Sequence, residues 1–189
     1  MSRWEPDARG RLARAALDLY SERGYDQVTV AEIAERAGLT ERTFFRHFTD
    51  KREVLSYGAA VLEEQLIRGV DEAPAGTGPL DMVGCALEAA ADTVFGTDVT
   101  FAVRRQAVVK ASPELLEREL IKMAMFAAAL AGALRRRGVA DPAASLAAEA
   151  GIAVFKVAYQ RWADEASQQP LREVIRACLA ELKTVTGAG

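Results

Sequence analysis

Apolar residues recur three and four positions apart along nearly the whole chain. No segment alternates apolar and polar residues long enough to pair as a strand, apart from a brief run at Val28–Val30. That period admits helices and little else, and glycine and proline cut it into pieces. Leu12, Ala16, Leu19 and Tyr20 share one face of a first helix, expected to start at Pro6 and stop at Gly24. A second helix of about two turns opens on Thr29-Val30-Ala31-Glu32. There a threonine oxygen can take an orphan backbone N–H while the glutamate reaches back. It ends at Gly38, and Thr40 can cap a third helix over Glu41–Phe48. Asp50-Lys51-Arg52-Glu53 repeats the capping pattern and is expected to open a long fourth helix reaching about Val70.

Residues 71–79 hold two prolines and two glycines and interrupt the pattern, marking a candidate boundary. Gly76 and Gly78 follow no strand, so they do not suggest a nucleotide-binding loop. Alanine-rich helices are then expected at roughly 80–95, 100–111, 113–137, 142–166 and 170–184, edged by Pro113, Gly138, Pro142 and Pro170. The chain of 189 residues is half hydrophobic and carries a net charge of -3, which suits a soluble globular protein and excludes a wholly basic nucleic-acid coat. Its longest uncharged stretch, Met123–Leu134, is too short to span a bilayer, and the N-terminus has no apolar run of a secretory signal. A cytoplasmic location without membrane insertion is expected. Cys85 and Cys178 stand apart in apolar segments and read as buried thiols. With His47 as the lone histidine, no metal site, cofactor or catalytic triad is expected.

Two short helices joined through a glycine turn and packed on a first helix describe a helix-turn-helix. At 100° per residue, Phe44 and Phe48 of the third helix point to one side and fit a core. Arg42 and Arg46 point to the other with Thr43 beside them, and Phe45 and His47 lie on the flanks. Arginine can grip guanine edges or phosphates, and threonine can meet a thymine methyl group. From Arg36 to Arg52 five cations stand against Glu41 and Asp50, a net of +3 within an acidic chain.

Residues 11–57 resemble the DNA-binding domain of the TetR family of bacterial transcriptional repressors. The resemblance lies in Ala15-Ala16-Leu17-Asp18-Leu19-Tyr20, Arg23-Gly24-Tyr25, Val28-Thr29-Val30, Ile33-Ala34, Ala37-Gly38-Leu39, and Thr43-Phe44-Phe45-Arg46-His47-Phe48 through Lys51-Arg52-Glu53. It implies an all-α protein with a three-helix DNA-binding domain at 1–52 and a helical effector-binding and dimerisation domain at 53–189. It further implies a homodimer on successive major grooves of a palindromic operator, released by a small effector. Thr29 and Thr40 become caps near phosphates, Arg42 and Thr43 base readers, and His47 and Lys51 phosphate contacts, with Arg46 on the same exposed face. Phe45 departs from the tyrosine common in the family and cannot donate a hydroxyl to phosphate.

The second half is less specific. Arg104 and Arg105 sit among Phe101, Ala102, Val103, Ala107 and Val108, where an arginine could hold a carboxylate or phosphate, or else face solvent or pair with Glu114, Glu117 or Glu119. Met123 and Phe126 are candidate pocket walls, with plain core packing the alternative. The stretches Phe44–Leu55 and Val103–Glu119 resemble the TetR subgroup associated with acyl-CoA-like ligands, which implies an apolar effector with an anionic group. Ala143, Ala144, Ala147, Ala148, Gly151 and Ala158, with Leu171, Val174, Ile175, Cys178 and Leu182, form stripes expected to build the homodimer surface or to fill their own subunit's core. Two other classes compete: a dimeric DNA-binding regulator without a ligand, and an all-helical enzyme. The enzyme reading lacks a catalytic set, since Glu63 and Glu64 face different sides of their helix.

Overall fold

The computed structural model describes residues 7–95, 99–164 and 169–187. Among them are nine α-helices and one 3-10 turn, with no strand. The helices are α1 (Ala8–Arg23), α2 (Val30–Arg36), α3 (Glu41–His47), α4 (Ala59–Asp71), α5 (Pro79–Val94), α6 (Val99–Ala111), α7 (Pro113–Arg136), α8 (Ala143–Asp164) and α9 (Leu171–Val185), and the 3-10 turn is Glu53–Ser56. The proposed start at Pro6 lies outside the described residues, as does the expected end of the eighth helix at 166. Asp7 caps α1 instead, accepting from the Gly10 N–H.

One expected helix is not continuous. Asp50 accepts from the backbone of Arg52 and Glu53, but the Glu53 carboxylate reaches to Thr49 rather than back to Asp50. A single 3-10 turn follows, and Gly58 at φ +88° breaks the chain direction before α4 begins. That left-handed backbone is open to glycine and strained for other residues.

The chain forms two compact units. The first comprises residues up to Tyr57 together with Arg104–Glu119, and the second Gly58–Val103 with Leu120 onward. The boundary expected at 52/53 therefore falls inside the first unit, which also recruits the end of α6 and the start of α7. Arg105 is one tie between these segments. It is only 9% exposed, donates from Nε to the Leu55 carbonyl at 2.7 Å and pairs with Glu119. Within this unit Leu12, Ala16, Leu17, Ile33, Phe44, Phe48 and Val54 form the interior.

In the second unit α5 packs against α4, α8 and α9. Close approach is set by glycine. A methyl group at Gly151 would overlap Val83 of α5, and one at Gly84 would overlap Leu179 of α9. Along one row of α5, Asp81 pairs with Lys183, Glu88 with Arg172 and Arg176, and Asp92 with Arg172. Cys85 lies on that same polar row and is exposed, not buried as expected, while Cys178 is buried; the two form no disulfide. Arg137 closes the C-terminus of α4 by donating to the carbonyls of Val70, Asp71 and Ala73 at 2.6–2.7 Å. None of the described helices is long and apolar enough to cross a membrane.

Candidate nucleic-acid interface

The interface candidates stand on α2, α3 and their flanks. Helices of seven residues do not hold themselves together in water, so caps and burial must do so. Thr29 Oγ accepts from the Glu32 N–H at 3.3 Å, and Glu32 accepts from the Thr29 N–H at 2.8 Å. Hydrogen bonds from Arg23 and Thr29 hold the Glu32 carboxyl down to a pKa of about 2. Thr40 Oγ accepts from the Thr43 N–H at 3.2 Å and lies 3.1 Å from Thr43 Oγ. Between the helices Gly38 takes φ +66°, and Arg11 of α1 donates to the Ala37 carbonyl beside it.

Phe44 and Phe48 anchor α3, both almost fully buried with ring centroids 5.6 Å apart. On the outer side Arg42 and Arg46 are exposed, Thr43 is half-buried, and Phe45 is 55% exposed with its ring edge-on to Phe44. Neither Arg42 nor Arg46 makes an ion pair among the described residues. This leaves two guanidinium groups, a hydroxyl and an apolar ring on one face of a core-anchored helix, a set able to meet base edges and phosphates in a major groove.

Of the two flanking residues, Lys51 departs from its expected role. Lys51 turns inward: its ammonium donates to the carbonyls of Tyr25 and Val28 at 3.0 and 2.9 Å and lies 4.3 Å from the centre of the Tyr25 ring. Tyr20 completes the knot by donating to the Lys51 carbonyl at 2.7 Å. In this state Lys51 braces the loop after α1 instead of offering a free charge to phosphate. His47 is half-buried, and its Nε2 is enclosed without a hydrogen-bond partner. Burial, with the like charges of Arg46 and Arg9, pushes its pKa below the ordinary histidine value. The imidazole is therefore neutral near pH 7. Arg9 is a residue that sequence reasoning missed, because its proximity to α3 depends on how α1 packs.

The four candidate ligand residues fall in different units. Arg105 pairs with Glu119, one of the three expected carboxylates, and Arg104 with Asp18 at 2.7 Å, which was not among them, so each guanidinium already has a carboxylate partner. Met123 and Phe126 are buried in the second unit's core. The stripes assigned to dimerisation also differ. Ala144, Ala147, Ala148, Gly151 and Ala158 of α8 and Leu171, Val174, Ile175 and Cys178 of α9 are buried within the subunit. What α8 leaves outward is another row, Leu146, Ala150, Ala153 and Val157, with Leu146 65% and Val157 60% exposed. No cluster of metal-ligating side chains occurs among the described residues.

Residues 12–57 match the model of the family described as bacterial regulatory proteins, tetR family. The HTH-type transcriptional regulator TcmR of Streptomyces glaucescens is 31% identical over 153 residues, covering 78% of this chain and 68% of TcmR. Further curated relatives are matched over 31–53% of their own length. Two solved structures share the fold. The transcriptional regulator FadR from Bacillus subtilis in complex with stearoyl-CoA aligns with TM-score 0.62 at 18% identity, over 90% of this chain and 95% of that one. A SmeT–triclosan complex aligns with TM-score 0.62 at 16% identity, over 94% and 90%.

Proposed function

Because the chain belongs to the TetR family of bacterial regulatory proteins, and so is a transcriptional regulator, we propose that it is a ligand-responsive repressor binding a palindromic operator as a homodimer. The observation that carries the DNA part is the outer face of α3, where Arg42 and Arg46 stand unpaired around Thr43 above a buried Phe44. Arg42 and Thr43 read bases. Arg46 and the capped starts of α2 and α3 at Thr29 and Thr40 hold the backbone, and Phe45 supplies apolar contact with a sugar or a thymine methyl group. The outward row of α8, with the small exposed residues Ala177 and Ala180 of α9, forms the dimer surface. Two recognition helices so joined would meet major grooves about 34 Å apart.

The effector is a mostly apolar compound, with an acyl-CoA or fatty acyl chain as its class. The support is the apolar composition of the second unit, with Met123 and Phe126 as wall residues, and the stearoyl-CoA carried by the FadR structure of the same fold. Arg104 and Arg105 brace the first unit in this reading and do not hold the effector's anion. By linkage, an effector that prefers a conformation poorly matched to the operator weakens DNA binding by the same factor that DNA weakens effector binding. The test titrates stearoyl-CoA, and separately triclosan, against the protein–operator complex in an anisotropy assay. Release by stearoyl-CoA is expected. Release by triclosan alone would remove the acyl class, and release by neither would favour a regulator that binds DNA without such a ligand.

A further inference from the structure

The arginines of residues 7–57 fall into two groups. Arg14, Arg23, Arg36 and Arg52 each hold a carboxylate, and Arg11 donates to a backbone carbonyl. Arg9, Arg42 and Arg46 make no ion pair among the described residues. Two of these three lie on the outer face of α3, and the remaining one, Arg9, comes from the first turn of α1.

Arg9 nevertheless belongs to the same neighbourhood. Its guanidinium carbon lies 5.3 Å from the centre of the Phe48 ring, and Phe48 is the residue that closes α3. Arg9 and Arg46 both act through space on His47, the last residue of α3. Asp7, the carboxylate nearest in sequence, is taken up by the Gly10 N–H, the Tyr57 hydroxyl and Arg14. Like charges gathered without a counter-charge repel one another. A unit that neutralises most of its other arginines leaves this end of α3 positive. The cation–π contact with Phe48 holds the Arg9 guanidinium beside the end of α3, and a guanidinium can offer a phosphate two parallel hydrogen bonds.

We propose that Arg9 is a DNA-backbone contact which, with Arg46 and His47, forms a phosphate seat at the C-terminal end of α3 and extends the interface onto the first turn of α1. His47 turns Nε2 into the protein, so Nδ1 is the nitrogen that meets the phosphate. The inference rests on the reading of α3 as a DNA-binding helix, and the test separates the two.

Full-length protein and the variants Arg9→Met, Arg9→Gln and Arg9→Lys are titrated against a duplex selected from a randomised pool and against an unselected duplex of equal length. The titrations run between 50 and 200 mM salt, with thermal melts confirming that each variant is folded. The neutral variants should flatten the salt dependence by about 1.8 in log–log slope, about 0.9 for each subunit of the dimer, which is about 12-fold across that range, and equally on both duplexes. Arg9→Lys should keep the wild-type slope. The seat is overturned if a folded neutral variant keeps the full slope, if the loss is confined to the selected duplex, or if Arg9→Lys loses as much as Arg9→Met. Should the wild-type chain bind neither duplex, the reading of α3 itself fails, and with it the seat.

Discussion

Lys51 shows what a single residue's place in a motif does not determine. Its position after α3 matches a phosphate contact in the resembling family, yet its ammonium donates to Tyr25 and Val28 carbonyls more than 20 residues away. That direction depends on the path of the loop after α1, which no local pattern encodes. Arg42, Arg46 and Phe45 were legible because the helical period and the buried Phe44 and Phe48 fix which way the remaining side chains point. Met or Ala at position 51 should lower stability by about 1.5–3 kcal/mol, the scale of hydrogen bonds involving a charged group. It should leave the salt slope of DNA binding unchanged. Chemical denaturation and salt-dependent anisotropy read the two effects separately, and a slope lowered by about 1.8, about 0.9 for each subunit, at unchanged stability would return Lys51 to the phosphate.

At the scale of elements, α2 was legible and the fourth helix was not, although both open on the same kind of sequence. Thr29 and Glu32 close their box within four residues, so the signal is complete locally. At Asp50–Glu53 the glutamate bonds Thr49 instead, and Gly58 then admits a left-handed turn that the upstream residues do not announce. The α2 box also carries a pH signature. Glu32 has a folded-state pKa of about 2 against 4.5 for the free side chain, so the folded chain binds fewer protons there. Its stabilisation is complete above about pH 4.5 and is lost as the pH falls toward 2. Glu32→Gln should remove that part of the acid destabilisation, so the melting temperatures of wild type and variant should converge as the pH falls. A constant offset from pH 6 to pH 2.5 would show that the box contributes nothing ionic.

For the whole molecule, the alternation of helices and breaks was legible along most of the chain, because the apolar period and its Gly and Pro punctuation are local. The use of each apolar face was not. Ala147, Gly151 and Val174 could serve a partner or their own core equally well by period alone. The burial of Ala147 and Val174, and the overlap that a side chain at Gly151 would make with Val83, show that the core takes them. The row at Leu146, Ala150, Ala153 and Val157 is therefore the proposed partner surface. Replacing both Leu146 and Val157 with glutamate should convert a particle of twice the 20.4 kDa chain mass into a monomer with nearly unchanged melting, because both side chains are exposed in the subunit. Light scattering at micromolar concentration checks this, and a variant that remains dimeric would move the interface elsewhere.

The central claim is that the outer face of α3 reads duplex sequence. It is tested most directly by the ratio of affinities for a selected duplex and an unselected one, measured at one salt concentration for the wild type and Arg42→Ala. The wild type should prefer the selected duplex by at least about a thousandfold. Arg42→Ala should lose about 1–3 kcal/mol of that preference while keeping its affinity for unselected DNA. Equal affinity of the wild type for both duplexes, or a preference that Arg42→Ala leaves whole, would contradict the account.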